Sequence, residues 1–160
     1  MPTLPELLDE DVQEINAALK DFLTKSEASL ALVTAEGGFV VMQQGDVERF
    51  DTVTLGALSA NAFNAAQAIA SLIDEPSFTH ICQQGEHYSV LAGAIDSYNT
   101  MVVLFPARVS VGAVKYFAAP AIRRIAQQLK KAHQRPSNRG IDLALLNLAD
   151  ASELFKRKSA

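Results

Sequence analysis

Between Asp51 and Asp74 the chain runs TVTLGALSANAFNAAQAIASLI without one charged side chain. Apolar residues recur there at three- and four-residue spacing, which predicts a helix over 52–73. Leu55, Leu58, Ala62, Phe63, Ala66, Ile69, Ala70 and Ile73 are expected on its core side. Ala57, Ala60, Asn61, Asn64, Gln67, Ala68 and Ser71 then fall on the other. A helix whose outer face meets water normally carries Glu, Lys or Arg there, because those residues are readily solvated and propagate helices well. Small side chains instead let a second helix approach closely, and Asn and Gln supply hydrogen bonds at such a contact. The second face is therefore expected to pack against a partner, most economically another copy of the chain. The alternative is an Ala-rich helix that is simply exposed.

The remainder of the sequence bounds the fold around that helix. At 160 residues and 49% hydrophobic composition, the chain suits one domain with a real core. A single cysteine, Cys82, excludes a disulfide framework within the chain, and three scattered histidines leave too few ligands for a zinc site of usual spacing. The acidic start, MPTLPELLDEDVQE, is unlike a secretory signal, and no uncharged apolar run reaches the length of a membrane span without Ser, Asn, Gln or Gly breaking it up. A cytoplasmic protein is expected. The net charge of -4 conceals an asymmetry: residues 1–96 hold 3 basic and 15 acidic groups, residues 97–160 hold 11 basic and 3 acidic groups. An acidic and a basic helix lying side by side explain this most simply, although the same split can steer an asymmetric partner.

A first helix is predicted over 4–24, with Leu7, Leu8, Val12, Ile15, Leu19, Phe22 and Leu23 inward. Two strands, 29–34 and 39–43, flank Ala35-Glu36-Gly37-Gly38, a hairpin signal because glycine adopts the positive φ of tight turns. Pro76 is expected to close the charge-free helix. Strands over 78–84, 87–95 and 100–105 form a three-stranded meander, in which the continuously apolar MVVLF marks a central strand. Ser110 caps a helix over 111–132, where Pro120 predicts a kink or two joined helical pieces near Ala119. Beyond Arg135-Pro136 a short amphipathic helix is expected over 142–155.

No arrangement of residues announces catalysis. His80, Cys82 and His87 lie in or beside two adjacent strands, but without the ligand spacing of a metal site or the partners of an activated nucleophile. The carboxylates sit in the first helix or alone in turns. The glycine pair matches no phosphate-binding loop. Lys115, Arg123, Arg124, Lys130 and Lys131 can meet anionic groups, yet no nucleic-acid-binding signature accompanies them. No enzyme, no cofactor and no metal are expected.

The order helix, two strands, helix, three strands, helix resembles the Roadblock/dynein light-chain family. ASLALVTAEGGFVV, LGALSANAFNAAQAIASLI and HYSVLAGAIDSYNTMVVLF followed by VSVGAVKYFAAPAIRRIAQQL carry the resemblance, which spans roughly residues 5–132. It implies an α/β fold in which a five-stranded antiparallel sheet of order 2-1-5-4-3 lies between helices, a profilin-like or longin-like sandwich. Residues 1–132 would form this domain, and 133–160 a linker and helical extension. The resemblance further implies a homodimer and a partner among small Ras-like GTPases, in bacterial and archaeal relatives often one that sets cell polarity or motility. On this reading Ala57, Ala60, Asn61, Asn64, Gln67, Ala68 and Ser71 make the dimer contact. Arg49, Arg108, Lys115 and Arg123 are the candidates for partner binding. A scaffold subunit of a larger complex and a small-molecule sensor domain are the competing functions.

Overall fold

The computed structural model describes residues 4–136, so the helix expected over 142–155 and most of the C-terminal extension lie outside the described residues. In chain order the elements are α1 (Asp9–Ser26), β1 (Leu30–Thr34), β2 (Val40–Gly45), α2 (Thr52–Leu72), β3 (His80–Gln84), β4 (Tyr88–Ala94), β5 (Thr100–Pro106) and α3 (Val111–Gln134). The strands form one sheet of order β2-β1-β5-β4-β3, antiparallel at every step. The MVVLF strand is central, as its composition demands.

Alternation along the strands divides the core in two. Ala31, Val33, Leu91, Met101, Val103 and Phe105 face the layer of α1 and α3, where Ile15, Leu19, Phe22, Ile125 and Leu129 close over them. Leu30, Leu32, Val102 and Leu104 face the other way, toward Leu55 of α2. Each large side chain so buried contributes about 1.5–3 kcal/mol. The turn between β1 and β2 is a 3-10 turn, Glu36–Gly38, in which Gly37 and Gly38 take φ of 81° and 83°.

Three local expectations are corrected. Helix α1 starts at Asp9 rather than at residue 4, because the Asp11 carboxylate folds back to accept the Leu8 amide at 2.8 Å and stops the helix there. Helix α2 is closed before Pro76: Asp74 adopts a left-handed φ of 56°, and the Glu75 amide returns to the Ala70 carbonyl at 2.9 Å. Helix α3 is continuous through Pro120. Pro120 lies on the exposed side, so the Tyr116 carbonyl that loses its intrahelical donor is on the side that water can reach.

The acidic and basic helices do lie side by side. Arg124 of α3 bridges Glu14 at 3.0 Å and Asp21 at 2.7 Å on α1. At the end of α3, Arg135 grips Asp11 with two nitrogens and Glu10 with one. Asp11 has no solvent exposure, and its second oxygen-bound partner, Gln128, donates at 2.6 Å. Four donors therefore satisfy one buried carboxylate, which tolerates burial only because they do. Hydrogen bonds from Arg135 hold the Asp11 carboxyl well below its ordinary value of 3.8, against the opposing effect of burial.

Replacing Asp11 with Ala should strand Arg135 and Gln128 and cost about 3 kcal/mol in chemical unfolding. Because the folded value is depressed, the stabilisation from Asp11 is fully present above the ordinary carboxylate value and lost as pH falls through and below it. Thermal midpoints measured from pH 7 down to pH 3 should accordingly fall less steeply for Asp11→Asn than for the native chain.

Candidate functional site

Helix α2 lies against the face of the sheet opposite α1 and α3. Its first turn is fixed by Asp51, whose carboxylate accepts the Thr54 amide at 3.1 Å and the Thr54 hydroxyl at 2.6 Å. Those Thr54 bonds hold the Asp51 carboxyl below its ordinary value, and the negative charge suits the amide end of the helix. From there the helix runs very close to the β1–β2 turn. A Cβ on Gly38 would stand 2.6 Å from the Ala57 Cα, and one on Gly56 would stand 2.7 Å from a Val40 methyl. The face beneath the helix is consequently made mostly of small residues: Gly56, Ser59, Ala60, Ala66 and Ala70 are buried together with Phe63, and Leu55 is half-buried against the sheet near the start.

The large side chains point outward instead. Leu58 is 63% exposed, Ile69 54% and Leu72 84%, with Val53 also exposed near the start of the helix. With Asn61, Ala65 and Ala68 between them, also exposed, they form an uncharged ridge. From Leu58 to Leu72 it spans about 21 Å at 1.5 Å per residue. Ordinary amphipathicity is inverted: small residues meet the sheet and large apolar ones meet solvent. Beside α2 in sequence, β3 is an edge strand with exposed Cys82, Gln83 and Gln84.

This geometry rearranges the predicted contact residues. Asn61 and Ala68 lie on the ridge, Asn64 and Ser71 are exposed on its flank, and Ala57 is half-buried. Ala60 is turned inward at 6% exposure, because the close seat of the helix needs a small residue there. Gln67 has an internal task. Its side-chain amide donates to the Phe78 carbonyl at 2.7 Å and accepts the Phe78 amide at 2.9 Å, standing in for a neighbouring strand. That explains why β3 begins at His80 rather than at residue 78. Leu58, Ile69 and Ile73, expected inside, are the outward residues that the periodicity missed. Nearly every position of α2 is small or apolar, so a three- to four-residue repeat fits more than one face.

The four candidate cations are not gathered into one site. Arg49 lies between β2 and α2 with its guanidinium 5.4 Å from the Phe50 ring centre and 5.9 Å from that of Tyr88, while the two rings meet edge to face at 5.6 Å. Arg108 follows β5 on an exposed loop. Lys115 and Arg123 are exposed on α3, in the helical layer across the sheet from α2. His80 and Cys82 do not form an activated pair. Burial, then Lys115, pushes the His80 imidazole down, and burial pushes the Cys82 thiol up despite Lys115, so both favour their neutral forms. Among the described residues no group of three His, Cys, Asp or Glu is placed to hold a metal ion, and no helix is long and apolar enough to cross a membrane.

No protein-family model matches the chain, and no curated protein matches it. Solved structures do, and the fold is that of Roadblock/LC7 domains. The chain is similar to Myxococcus xanthus MglB, with 22% identity, 83% of this chain and 99% of that one covered, and a TM-score of 0.74. A structure described as MglB with tetrameric arrangement matches at 23% identity over 82% of this chain and 99% of that one, with a TM-score of 0.75. A Roadblock/LC7 domain from Streptomyces avermitilis covers 71% of this chain and 96% of its own at 12% identity, with a TM-score of 0.65.

The inverted face predicts unequal responses to the same change. Measured in the single-chain background Ile69→Glu, Leu72→Glu, Ala60→Leu should overpack the seat of α2 and cost about 1–3 kcal/mol in urea unfolding, whereas Ala68→Leu on the ridge should stay within about 0.5 kcal/mol of that background. Equal losses at both positions would contradict the placement of the helix.

Proposed function

We propose that this chain is a Roadblock/LC7 family member, a non-catalytic homodimeric adaptor that binds and regulates a small Ras-like GTPase in the cytoplasm. The observation that carries the reading is the uncharged ridge of α2, on a fold shared along most of its length with MglB. Leu58, Ile69 and Leu72 are too large and too exposed to serve this protomer's own core, and burying them between two copies stabilises by roughly 25 cal/mol for each Å² removed from water. The tetrameric arrangement described for one MglB structure supports self-association as a use of this fold. In this reading the Roadblock domain, expected over 1–132, runs on to Arg135, whose bonds to Asp11 close it, and the rest of the chain to 160 is an appended linker and helix.

The GTPase assignment rests on the resemblance in sequence order and motifs together with the shared fold. Within the dimer, Asn61, Asn64, Ala68 and Ser71 border the apolar contacts and Ala57 lies at their margin. Arg49 suits a role in holding a partner loop, since two aromatic rings fix its guanidinium before any partner arrives. Arg108, Lys115 and Arg123 offer further charge to an acidic partner, from separate surfaces.

The test is capture from source-cell lysate on the purified full chain, with GTP analogue or GDP added and mass-spectrometric identification. A small GTPase enriched in one nucleotide state is the expected result, lost when Leu58 and Ile69 are both replaced by Glu. Retention of one non-GTPase partner in both states would overturn the regulator in favour of a scaffold subunit.

A further inference from the structure

We propose that the cleft between the C-terminal half of α2 and the two turns at that end of the sheet is a binding site for an organic cation, a guanidinium or alkylammonium group. The cleft has a volume of about 600 Å³, within the range of small-ligand sites. Phe63, Phe78 and Tyr98 supply aromatic surface to it, Glu36 and Asp96 supply carboxylates, and Asn64 supplies an amide from α2. No lysine, arginine or histidine lines it. Aromatic faces beside carboxylates attract a cation through the ring quadrupole and through direct charge, and they desolvate its methylene or planar surface.

Further features of the chain point the same way. From Ser26 to Ala107 the chain has nine acidic residues and one basic residue, Arg49. That guanidinium is committed to Phe50 and Tyr88, at the opposite end of the sheet, where β4 begins and β5 ends. The segment that builds the cleft is therefore strongly acidic, and no lysine or arginine among the described residues stands in the cleft wall. The turn bordering the cleft also has more acceptors than donors. Asp96 Oδ1 already takes the amides of Tyr98 and Asn99, each at 2.8 Å, and both Asp96 oxygens take the Asn99 side-chain amide at 2.9 Å. Among the described residues Asp96 Oδ2 takes only that one donor, so it keeps acceptor capacity for a positively charged group rich in N–H donors.

The site does not require the dimer or GTPase reading, and it adjoins the proposed dimer contact at Asn64, which lines the cleft from α2. Its walls come from the helix, the core and two turns of a single protomer, and the cation can belong to a free amine or to an arginine or lysine side chain of another protein. Full-length protein titrated with agmatine, and separately with a capped arginine tripeptide, distinguishes these sources by amide NMR shifts at Gly37 and Tyr98. Saturable shifts with agmatine assign a small-amine site; shifts with the tripeptide alone assign a site for a partner's side chain. In either case N-butylurea, uncharged and of similar shape, should produce none. Glu36→Gln should weaken binding by roughly five- to tenfold, and Tyr98→Leu by a similar factor. Asp46→Asn, at the far end of the sheet, should change nothing. Absence of saturable shifts with both cations into the millimolar range would overturn the proposal. Equal binding of the uncharged analogue, or unaltered binding by both Glu36→Gln and Tyr98→Leu, would also overturn it.

Discussion

The seat of α2 on the sheet is the constraint from which the molecule's outward character follows. Gly38 and Gly56 bring the β1–β2 turn and the helix backbone together so closely that a Cβ at either position would collide with its neighbour. A helix held at that distance places mostly glycine, alanine and serine beneath itself, with Leu55 near its start and Phe63 where the gap widens toward the cleft. The other large aliphatics of the segment go outward. Large exposed aliphatics, an uncharged outer face and a close inner approach are one packing decision seen from three sides.

The opposite layer solves a different problem, how to keep two strongly charged helices together. Helix α1 is acidic and α3 holds no acidic residue, so contact between them places opposite charges in reach without a special motif. Exposed pairs such as Arg124 with Asp21 contribute little individually. The buried carboxylate of Asp11 differs in kind: its donors come from Leu8, Gln128 and Arg135, and they tie the start of one helix to the end of the other. That tie fixes where the chain leaves the domain, immediately before Pro136, and so sets the origin of whatever the extension does.

Much of this architecture was legible in the sequence because it depends on local chemistry. The glycine pair announced the first hairpin, MVVLF announced a strand buried on both faces, and the absence of charge over 52–73 announced a helix unsuited to water. The sheet order came through the family resemblance and agrees with the structure. What was not legible depends on distance in space. No local pattern tells that Gln67 will clamp Phe78, that Asp11 will meet a residue 124 positions later, or that Ala60 and not Leu58 will lie under the helix. Pro120 does not divide α3 in two for a related reason: its cost falls on the carbonyl of Tyr116, and that carbonyl's exposure is a tertiary property. In a segment where almost every residue is small or apolar, periodicity identifies a helix without choosing its face. Gly56 was the available clue, since a glycine within a helix marks a close approach more often than an exposed turn.

The central claim, that the outward ridge of α2 exists to be covered by a second copy, is tested most directly by the mass of the native chain in solution. Sedimentation equilibrium over a range of micromolar concentrations should give at least twice the 17.2 kDa of one chain. The variant carrying Glu at positions 69 and 72 should sediment at the mass of a single folded chain. A native protein that remains a single chain throughout, with Leu58, Ile69 and Leu72 open to water, would contradict the account.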